Sequence, residues 1–398
     1  MTYDLIQPFP TRAAAQAALQ QFVPQAGRAY AQQRNFDFGP GRHDSVSCLS
    51  PFVKLRLLDE IAVSRAVLEA HSRQDADKFL AEVFWRTYWK GWMELRPSVW
   101  LTYTSDLNRL RDDVQTQAGL RQRWEEACLG QTGIAPFDAW AQELVSTGYL
   151  HNHARMWFAS IWIFTLELPW QLGADFFLRH LLDGDAAVNT LSWRWVAGLQ
   201  TQGKTYLADA GNITKFTQGR FSDVTGLAPF AVPVEGPENP PPGVLPALPA
   251  GRVQGRYGVL LHEDDVDLTR MLAQAPEPAA YAYLDATAGH SPWQMAPHVA
   301  AFRRAAARAE VPQDTEMATL KDAEAIAAWA ASEALDMIVL PYAPIGPAAD
   351  VLNTYAARPD AVTVLPMRRA LDTAAWPLAT KGFFPFRKHI PALLDRFV

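Results

Sequence analysis

Residues 180–195 read HLLDGDAAVNTLSWRW and bring two carboxylates, an amide and two indoles close together in sequence. Asp183, Asp185 and Asn189 could supply oxygen ligands to a cation, or they could hold an organic cofactor beside the two tryptophans. A calcium loop of the EF-hand type needs a closing acidic residue that this stretch lacks, and a magnesium site would expect a phosphate-binding loop nearby. The sequence has no such loop, so we expect no metal and favour the organic cofactor.

The composition describes a chain that can form full cores in two domains, since 49% of its 398 residues are hydrophobic. The formal net charge of -6 argues against broad polyanion binding but leaves room for a local basic groove. Only Cys48 and Cys128 are present, which excludes a disulfide framework and suits a reducing compartment. The stretch MTYDLIQPFPTRAAAQ has no charged segment followed by an apolar run, so we expect no secretory leader, and no apolar run is long enough for a bilayer. We therefore expect a soluble, cytoplasmic protein without membrane contact.

The pattern of hydrophobic residues changes once along the chain. Residues 11–235 carry apolar residues at helical spacing, whereas VEGPENPPPGVLPALPAG at 234–251 is dense in proline and glycine and predicts a semi-rigid linker. Beyond it, short apolar runs alternate with helical ones, which is typical of an α/β layer with a largely parallel sheet. We therefore predict a mainly helical domain at 1–235, a linker at 236–251 and a smaller α/β domain at 252–398. The last domain has no GxGxxG or Walker motif.

Capping residues and apolar runs in the sequence predict where several helices and strands lie. Thr11 is expected to cap the first helix, and Gly148 and Gly184 are expected to end two later ones. The apolar spacing over 50–71 predicts one continuous helix. In the α/β part, strands are predicted within YGVLLHED, AAYAYLDAT, DMIVLPYAP and AVTVLPM, and helices within HVAAFRRAAARAEV and DAEAIAAWAASEAL.

Asn152, Arg155 and Met156 share one face of a predicted helix because they stand at i, i+3 and i+4. An amide, a guanidinium and a thioether together fill a core poorly. The arginine could lie over an exposed helix face with its charge in water, or it could pair with the aspartates of 180–195. A buried pair of that kind is costly unless it is fully hydrogen-bonded, and it would mark a site.

Four stretches of the helical part form an ordered series: CLSPFVKLRLLDEIAVSR, LAEVFWRTYW, TGIAPFDAWAQELVSTGYLHNHARM and FFLRHLLDGDAAVNTLSWRW. In this order they resemble successive motifs of the FAD-binding domain of photolyases and cryptochromes, over about residues 12–222. The resemblance implies a mainly α, photolyase-type domain with FAD as its cofactor. That family usually has an α/β antenna domain before the helical domain, so this chain resembles a compact or rearranged member. No antenna motif is matched in the α/β part, and we expect no antenna chromophore.

The resemblance implies roles for several residues around FAD. The loop that binds the FAD phosphates in the family corresponds to Ser47, Leu49 and Ser50, and hydroxyls and N–H groups at a helix start suit anions. The remaining cofactor positions correspond to Asn152, which lines the site, Arg155, which pairs with Asp183 near the isoalloxazine, Asp185, the second flavin-binding aspartate, and Asn189, which faces flavin N5.

A pocket for damaged DNA is implied at other matching positions. Glu82 corresponds to the glutamate that hydrogen-bonds a pyrimidine dimer, and Trp85 and Trp195 correspond to the indoles that stack on flipped-out bases. Arg86 belongs to the same wall. Enzymes acting on the (6-4) photoproduct have two histidines where this chain has an asparagine and Met156, so the resemblance implies cyclobutane dimers.

Electron transfer to the flavin is implied in part. Trp193 corresponds to the flavin-proximal tryptophan of the family and Trp170 to the middle one. The distal position falls at about Val114, so Trp100 or Trp124 could substitute, or the series could be short.

The resemblance implies light-driven repair of cyclobutane pyrimidine dimers, in which reduced FAD passes an electron to a flipped-out dimer and recovers it after the ring opens. The alternative is a cryptochrome-like blue-light photoreceptor that binds FAD without repair. Glu82 together with two indoles favours repair, because a sensor needs no lesion pocket. UV-damaged DNA, single- or double-stranded, is the expected partner of a monomeric protein.

A basic rim for DNA is possible around this pocket. Lys90, Arg194, Lys204 and Lys215 could form it, or they could be solvated surface charges.

Overall fold

The computed structural model describes residues 10–249, 251–273 and 277–398. The first part is a helical domain, as predicted. Its helices are α1 (Arg12–Phe22), α2 (Arg28–Gln33), α3 (Ser50–Lys54), α4 (Glu60–Ala70), α5 (Arg73–Glu94), α6 (Ser98–Thr116), α7 (Ala118–Leu129), α8 (Ala135–Thr147), α9 (Asn152–Ser160), α10 (Trp170–His180), α11 (Ala186–Val196) and α12 (Ala210–Phe216). A π-helical turn, Ile161–Thr165, continues α9.

Two of the predicted helix ends are confirmed by their geometry. The Thr11 hydroxyl accepts a hydrogen bond from the Ala14 N–H at 3.1 Å, so it caps α1. Gly148 ends α8 with a φ of 69°, a left-handed conformation that glycine adopts without strain.

Two other predictions in the helical part are wrong. The stretch 50–71 forms α3 and α4 instead of one helix, because Arg56 interrupts it with a φ of 64° and Asp59 caps a new start. Helix α10 ends at His180 instead of near Gly184, because the next residue is already extended.

The second part is an α/β domain built on a parallel sheet, as predicted. Its elements are β1 (Tyr257–His262), α13 (Leu268–Leu272), β2 (Ala280–Leu284), α14 (Pro297–Glu310), β3 (Met317–Leu320), α15 (Ala323–Ser332), β4 (Met337–Pro341), α16 (Pro347–Ala356), β5 (Thr363–Met367), α17 (Ala370–Ala375), α18 (Phe383–Arg387) and α19 (Ile390–Phe397). The strand order is β3-β2-β1-β4-β5, with every neighbouring pair parallel. Strand β3 was not predicted, because only Leu320 of its four residues is buried.

The carboxyl edge of this sheet faces the helical domain. The strand order reverses between β1 and β4, and the chain leaving each of these strands contacts the helices. After β1, the Val266 N–H donates to the Leu55 carbonyl at 3.0 Å. After β4, the Tyr342 hydroxyl donates to Glu94 of α5 at 2.7 Å. The two parts share one hydrophobic core, so the sheet positions the helices that surround the candidate site.

The proline-rich segment between the two parts follows the surface of the helical domain. Its described residues, 236–249, form neither helix nor strand. The Gly243 N–H donates to the Leu95 carbonyl at 2.7 Å, and Arg194 donates to Asn239 at 2.7 Å. Among the residues that the structure describes, no helix is long and apolar enough to cross a membrane.

Candidate functional site

Asp185 lies at the start of α11 and connects this helix to α5. Its Oδ1 accepts hydrogen bonds from the N–H groups of Ala187 and Val188, at 3.1 and 3.0 Å, and so caps α11. Its Oδ2 lies 2.8 Å from the Lys90 ammonium and 3.2 Å from the Arg86 guanidinium, both on α5. Burial alone would raise the pKa of Asp185, but the charges of Lys90 and Arg86 hold it well below its usual range. Asp185 is therefore ionised and fully bonded within the protein.

Asp183, two residues earlier, forms an ion pair through one oxygen, and the Ser50 hydroxyl lies close enough to the carboxylate to help lower its pKa. Its Oδ2 accepts a hydrogen bond from Arg155 of α9 at 3.0 Å, which confirms the ion pair suggested by the sequence. The Arg155 Nε donates to the Leu150 carbonyl at 2.8 Å, so the guanidinium is oriented. Although burial would raise the pKa of Asp183, the positive charges of Arg155 and Arg86 keep it below its ordinary value. The buried Oδ1 has no hydrogen-bond partner, and a donor on a bound ligand would satisfy it.

Asn189 is fixed one helical turn further along α11. Its side-chain amide donates to the Ala174 carbonyl of α10 at 2.7 Å, and the residue is buried. The N–H of Asn189 also continues the helix by donating to the Asp185 carbonyl. The amide group is thus held in one orientation by α10 before any ligand binds.

The loop before α3 carries the residues expected around the FAD phosphates. Cys48 has a left-handed φ of 51°, and across this turn the Leu49 N–H donates to the Ser47 hydroxyl at 3.4 Å. Leu49 is buried, whereas Ser47 and Ser50 are only partly covered. A small cleft of about 80 Å³, open to solvent, lies between this loop and α1, and Ser47 is part of its lining.

The residues expected to contact damaged DNA lie along α5 and near α11. Glu82 is half-buried and forms an ion pair with Arg34 at the end of α2. Burial raises the pKa of Glu82, and the charge of Arg34 partly opposes that shift. The Trp85 indole stacks on Phe383 of α18, with ring centroids 3.7 Å apart and planes at 12°. One face of Trp85 is therefore covered by the α/β domain.

The other residues predicted to line the DNA or cofactor site differ in burial and in the groups they contact. Trp195 is half-buried and stacks on Tyr206, with ring centroids 5.8 Å apart. Arg86 is buried and points toward Asp185. Met156 is half-buried on α9, and Asn152 is exposed at the first residue of that helix.

The tryptophans expected to carry electrons are buried in two groups. Trp193 of α11 contacts Trp162 edge-on at 6.1 Å, and it packs so closely on α10 that a Cβ added to Gly173 would lie 2.3 Å from the indole. Trp170 belongs to another group, in which Tyr103 lies 5.7 Å from Trp170 and 5.4 Å from Trp100.

Of the two tryptophans suggested for the distal position, Trp100 is therefore the one that is connected to Trp170, through ring contacts with Tyr103. Trp124 instead packs on Trp293 of the α/β domain, with ring centroids 5.0 Å apart.

Two members of the suggested basic rim are not on the surface. Lys90 is buried between Asp185 and Asp264, and Arg194 is buried against Asn239. The other two suggested lysines, at 204 and 215, are exposed. Lys90 lies in the sequence YWKGW, and such an apolar context was the available signal that this lysine points inward.

Two histidines beside Asn152 support the local structure of α9. The His151 side chain accepts from the His153 N–H at 3.1 Å and caps the helix. The His153 ring stacks on Trp157 at 4.0 Å and hydrogen-bonds the Asn35 carbonyl.

These residues offer several polar groups to a bound ligand. The unpartnered Oδ1 of Asp183 needs a donor, and the Arg155 guanidinium beside it is 21% exposed, so a ligand can reach this pair. Ser47 and Ser50 offer partly covered hydroxyls on the neighbouring loop. Asp185 does not need a ligand for its charge, since Lys90 and Arg86 neutralise it.

Comparison with known proteins shows that part of this chain is similar to a cofactor-binding domain. Residues 79–226 match the FAD-binding domain of DNA photolyase. The deoxyribodipyrimidine photo-lyase of Thermus thermophilus is 35% identical over 207 residues, which are 50% of this chain and 45% of that protein. The deoxyribodipyrimidine photo-lyase of Vibrio cholerae is 30% identical over 199 residues, 48% of this chain and 40% of that protein. The chain spans less than half the length of these curated relatives.

Two solved structures are similar to part of the chain. A bacterial class III photolyase from Agrobacterium tumefaciens has 24% identity and a TM-score of 0.43, over 52% of this chain and 43% of that one. A cryptochrome from Synechocystis has 22% identity and a TM-score of 0.43, with the same coverage of both chains.

Proposed function

We propose that the protein is a photolyase that repairs cyclobutane pyrimidine dimers in DNA with light, because residues 79–226 match the FAD-binding domain of DNA photolyase and the motifs of the helical part resemble that family. FAD, when bound, supplies the light absorption and the electron that opens the cyclobutane ring. The protein's own residues bind and orient the cofactor and the damaged DNA.

The proposed cofactor site is formed by the α10–α11 turn, α9 and the loop before α3. Arg155 orients Asp183, and the free oxygen of Asp183 accepts a hydrogen bond from the cofactor. Asn189, held by the Ala174 carbonyl, presents its remaining amide oxygen to the flavin ring. The hydroxyls of Ser47 and Ser50, with the Leu49 N–H beside them and the exposed Asn152, contact the polar parts of the cofactor.

The proposed lesion site lies on the adjoining part of α5 and α11. Glu82 donates or accepts a hydrogen bond at the damaged bases, and the raised pKa of Glu82 allows it to be protonated at a higher pH than an exposed carboxylic acid. Trp85 and Trp195 offer aromatic faces to flipped-out bases. Arg86 connects this wall to the cofactor site through Asp185, and Met156 limits the pocket from α9.

The observation that carries repair is the combination of Glu82 and Trp85 on one face of α5. They are three residues apart, so they project from the same side of the helix, and both are half-buried. A carboxyl group beside an indole can recognise a base by its edge and by its plane. A light sensor that binds FAD has no need for this pair.

For electron supply to the cofactor we propose Trp193 as the inner residue and Trp170 as the next. The rings of Tyr103 and Trp100 then extend the route along α6. The same helix contains Val114, the position that corresponds to the distal tryptophan of the family. Tyr103 is fully buried and its hydroxyl has no partner, so the ring is shielded from water.

The second candidate function is a cryptochrome-like photoreceptor, and one contact favours it. Phe383 covers one face of Trp85, so a damaged base could use that face only if α18 moved. In a photoreceptor this contact would couple the helical domain to the last helices of the chain.

The deciding experiment is repair of a thymine-dimer oligonucleotide by purified, FAD-loaded and chemically reduced protein, under near-UV light and in the dark. Single- and double-stranded oligonucleotides are compared in parallel. Repair that occurs only in light is the expected result. Bound FAD without repair of either substrate would refute the photolyase and support the photoreceptor.

A further inference from the structure

A series of buried charges joins the α/β domain to the candidate cofactor site. Asp264, two residues after β1, lies 3.1 Å from the Lys54 ammonium and 3.3 Å from the Lys90 ammonium. Lys90 lies 2.8 Å from Asp185, and Asp185 pairs in turn with Arg86 at 3.2 Å. The side chains of all five residues are at most 10% exposed. We name these five residues the interdomain charge series.

Asp264 stands where open parallel sheets usually hold their ligands. The strand order reverses between β1 and β4, and the crevice at the carboxyl ends of two such strands is the common binding position. Here the helical domain reaches this edge, since Lys54 also donates a hydrogen bond to the Glu263 carbonyl. The edge of the sheet is therefore used to hold two lysines of the helical domain.

Each lysine is next to a part of the proposed FAD site. Lys54 is the last residue of α3, whose first residue is Ser50. Lys90 contacts Asp185 directly. Asp264 is the one residue of the α/β domain that contacts both lysines among the ion pairs described here, so it fixes the loop at Ser50 relative to the start of α11.

The charge balance of the series depends on Asp264. The three cations of the series, Lys54, Lys90 and Arg86, share the carboxylates of Asp264 and Asp185. Without Asp264, Asp185 would be the one carboxylate left in the series. A buried ammonium that loses its partner either loses its proton or moves toward water. Burial already lowers the pKa of Lys54, and Asp264 is the largest opposing influence on it. For Lys90, Asp185 outweighs Asp264 and the pKa is raised.

We propose that Asp264 of the α/β domain is a positioning residue for the FAD site. By holding Lys54 and Lys90 it keeps Ser50 and Asp185 at the separation that FAD requires, and this is the contribution of the α/β domain to cofactor binding. The inference rests on the proposed function, because it assumes that FAD is the ligand of this site.

The test compares FAD affinity in Asp264→Asn and in a matched control, Asp265→Asn. Asp265 is the next residue, is equally buried, and pairs with Arg270 inside the α/β domain. The dissociation constant of FAD is measured by fluorescence titration of the full-length apoprotein, and the melting temperature by circular dichroism. We expect Asp264→Asn to raise the FAD dissociation constant about tenfold or more and Asp265→Asn to change it by less than about twofold.

A charge-compensating variant separates positioning from general stability. Lys54→Gln combined with Asp264→Asn removes one cation with one anion and leaves two amides that can hydrogen-bond in place of the ion pair. Because α3 would still be held, this variant should recover much of the FAD affinity lost in Asp264→Asn. Weakened FAD binding that the second substitution does not restore would contradict the electrostatic explanation.

The outcomes separate this inference from the proposed function. Wild-type protein that does not bind FAD refutes the proposed function before any variant is compared. Asp264→Asn that binds FAD like wild type, whether or not it melts earlier, overturns the positioning role. If Asp264→Asn does not fold, Asp264→Glu replaces it, since it keeps the charge but displaces it by one methylene. Folded Asp264→Glu with weakened FAD binding supports the inference, and wild-type affinity overturns it.

Discussion

The interdomain charge series and the lesion wall of Glu82, Trp85 and Trp195 use similar side chains under opposite conditions. In the series, Asp185 is buried and every oxygen is bonded within the protein. In the wall, Glu82 has a side chain that is 32% exposed and one ion pair with Arg34. Water screens the ion pair of Glu82 with Arg34, but it does not screen the buried ion pairs of Asp185. The series should therefore govern stability and cofactor binding, whereas the wall should govern activity on DNA.

Asp185→Ala should produce the largest effect in the molecule. It removes the cap of α11 and leaves Lys90 and Arg86 without their shared carboxylate. Breaking a buried ion pair costs about 3–5 kcal/mol, and we expect a loss of that size in the free energy of unfolding together with loss of bound FAD. Urea unfolding followed by circular dichroism measures the first quantity, and absorbance of the purified protein measures the second.

Asp209→Ala is the matched control for that experiment. Asp209 caps α12 by accepting from the Asn212 N–H at 2.7 Å, but it is exposed and has no ion pair in the described structure. It should lose only about 1 kcal/mol. Equal losses in the two variants would mean that the cap, and not the charges, explains the effect of Asp185.

Asp183→Ala should separate cofactor binding from stability. Arg155, its only described ion-pair partner, is partly exposed and can be solvated once the carboxylate is gone. We expect a loss of about 1–2 kcal/mol in the free energy of unfolding but complete loss of FAD on gel filtration. Retention of one FAD per chain in this variant would refute the assignment of the unpartnered oxygen to the cofactor.

Acid should destabilise the protein through histidines before it affects the charge series. Burial, with the charges of Arg179 and His298, lowers the pKa of His180 to about 3 from an ordinary 6.5. Between pH 6.5 and about 3 the unfolded chain therefore binds a proton that the folded chain does not. This group's contribution is fully present above pH 6.5 and falls as the pH is lowered, by an amount on the order of 3 kcal/mol at pH 4.

Substitution of His180 tests that pH dependence. Glutamine cannot take up the proton, so the free energy of unfolding of His180→Gln should fall less steeply than that of wild type between pH 6.5 and pH 4. His389→Gln, at an exposed position, is the control and should follow the wild-type curve. Identical slopes for all three proteins would show that His180 is not the group responsible.

The contrast between the two regions also explains how far the sequence could be interpreted. Helix ends at Thr11 and Gly148 were predictable because capping depends on one or two adjacent residues. The ion pair of Arg155 and Asp183 was suggested by residue type and spacing. Arg56 was not recognised as a helix breaker, because a left-handed arginine has no local signature.

The charge series was not predictable because its partners are far apart in the chain. Lys90 and Asp264 are separated by 174 residues, and the charge of Lys90 alone suggests either a basic rim or a solvated surface position. The same holds for Trp85 and Phe383, whose contact depends on how α18 packs on α5. Periodicity describes which face of a helix is apolar, but it carries no information about which distant element will cover that face.

Glu82→Gln should have the smallest effect on folding and a selective effect on activity. A partly exposed ion pair contributes about 0–1 kcal/mol, so the free energy of unfolding should change by no more than that, and FAD should be retained. Light-dependent repair of a thymine-dimer oligonucleotide should nevertheless slow markedly, because glutamine keeps the size of the side chain but cannot act as an acid. Arg34→Gln removes the same ion pair from the other side and should preserve repair. If both variants repaired at the wild-type rate, the lesion wall would be assigned to the wrong part of α5.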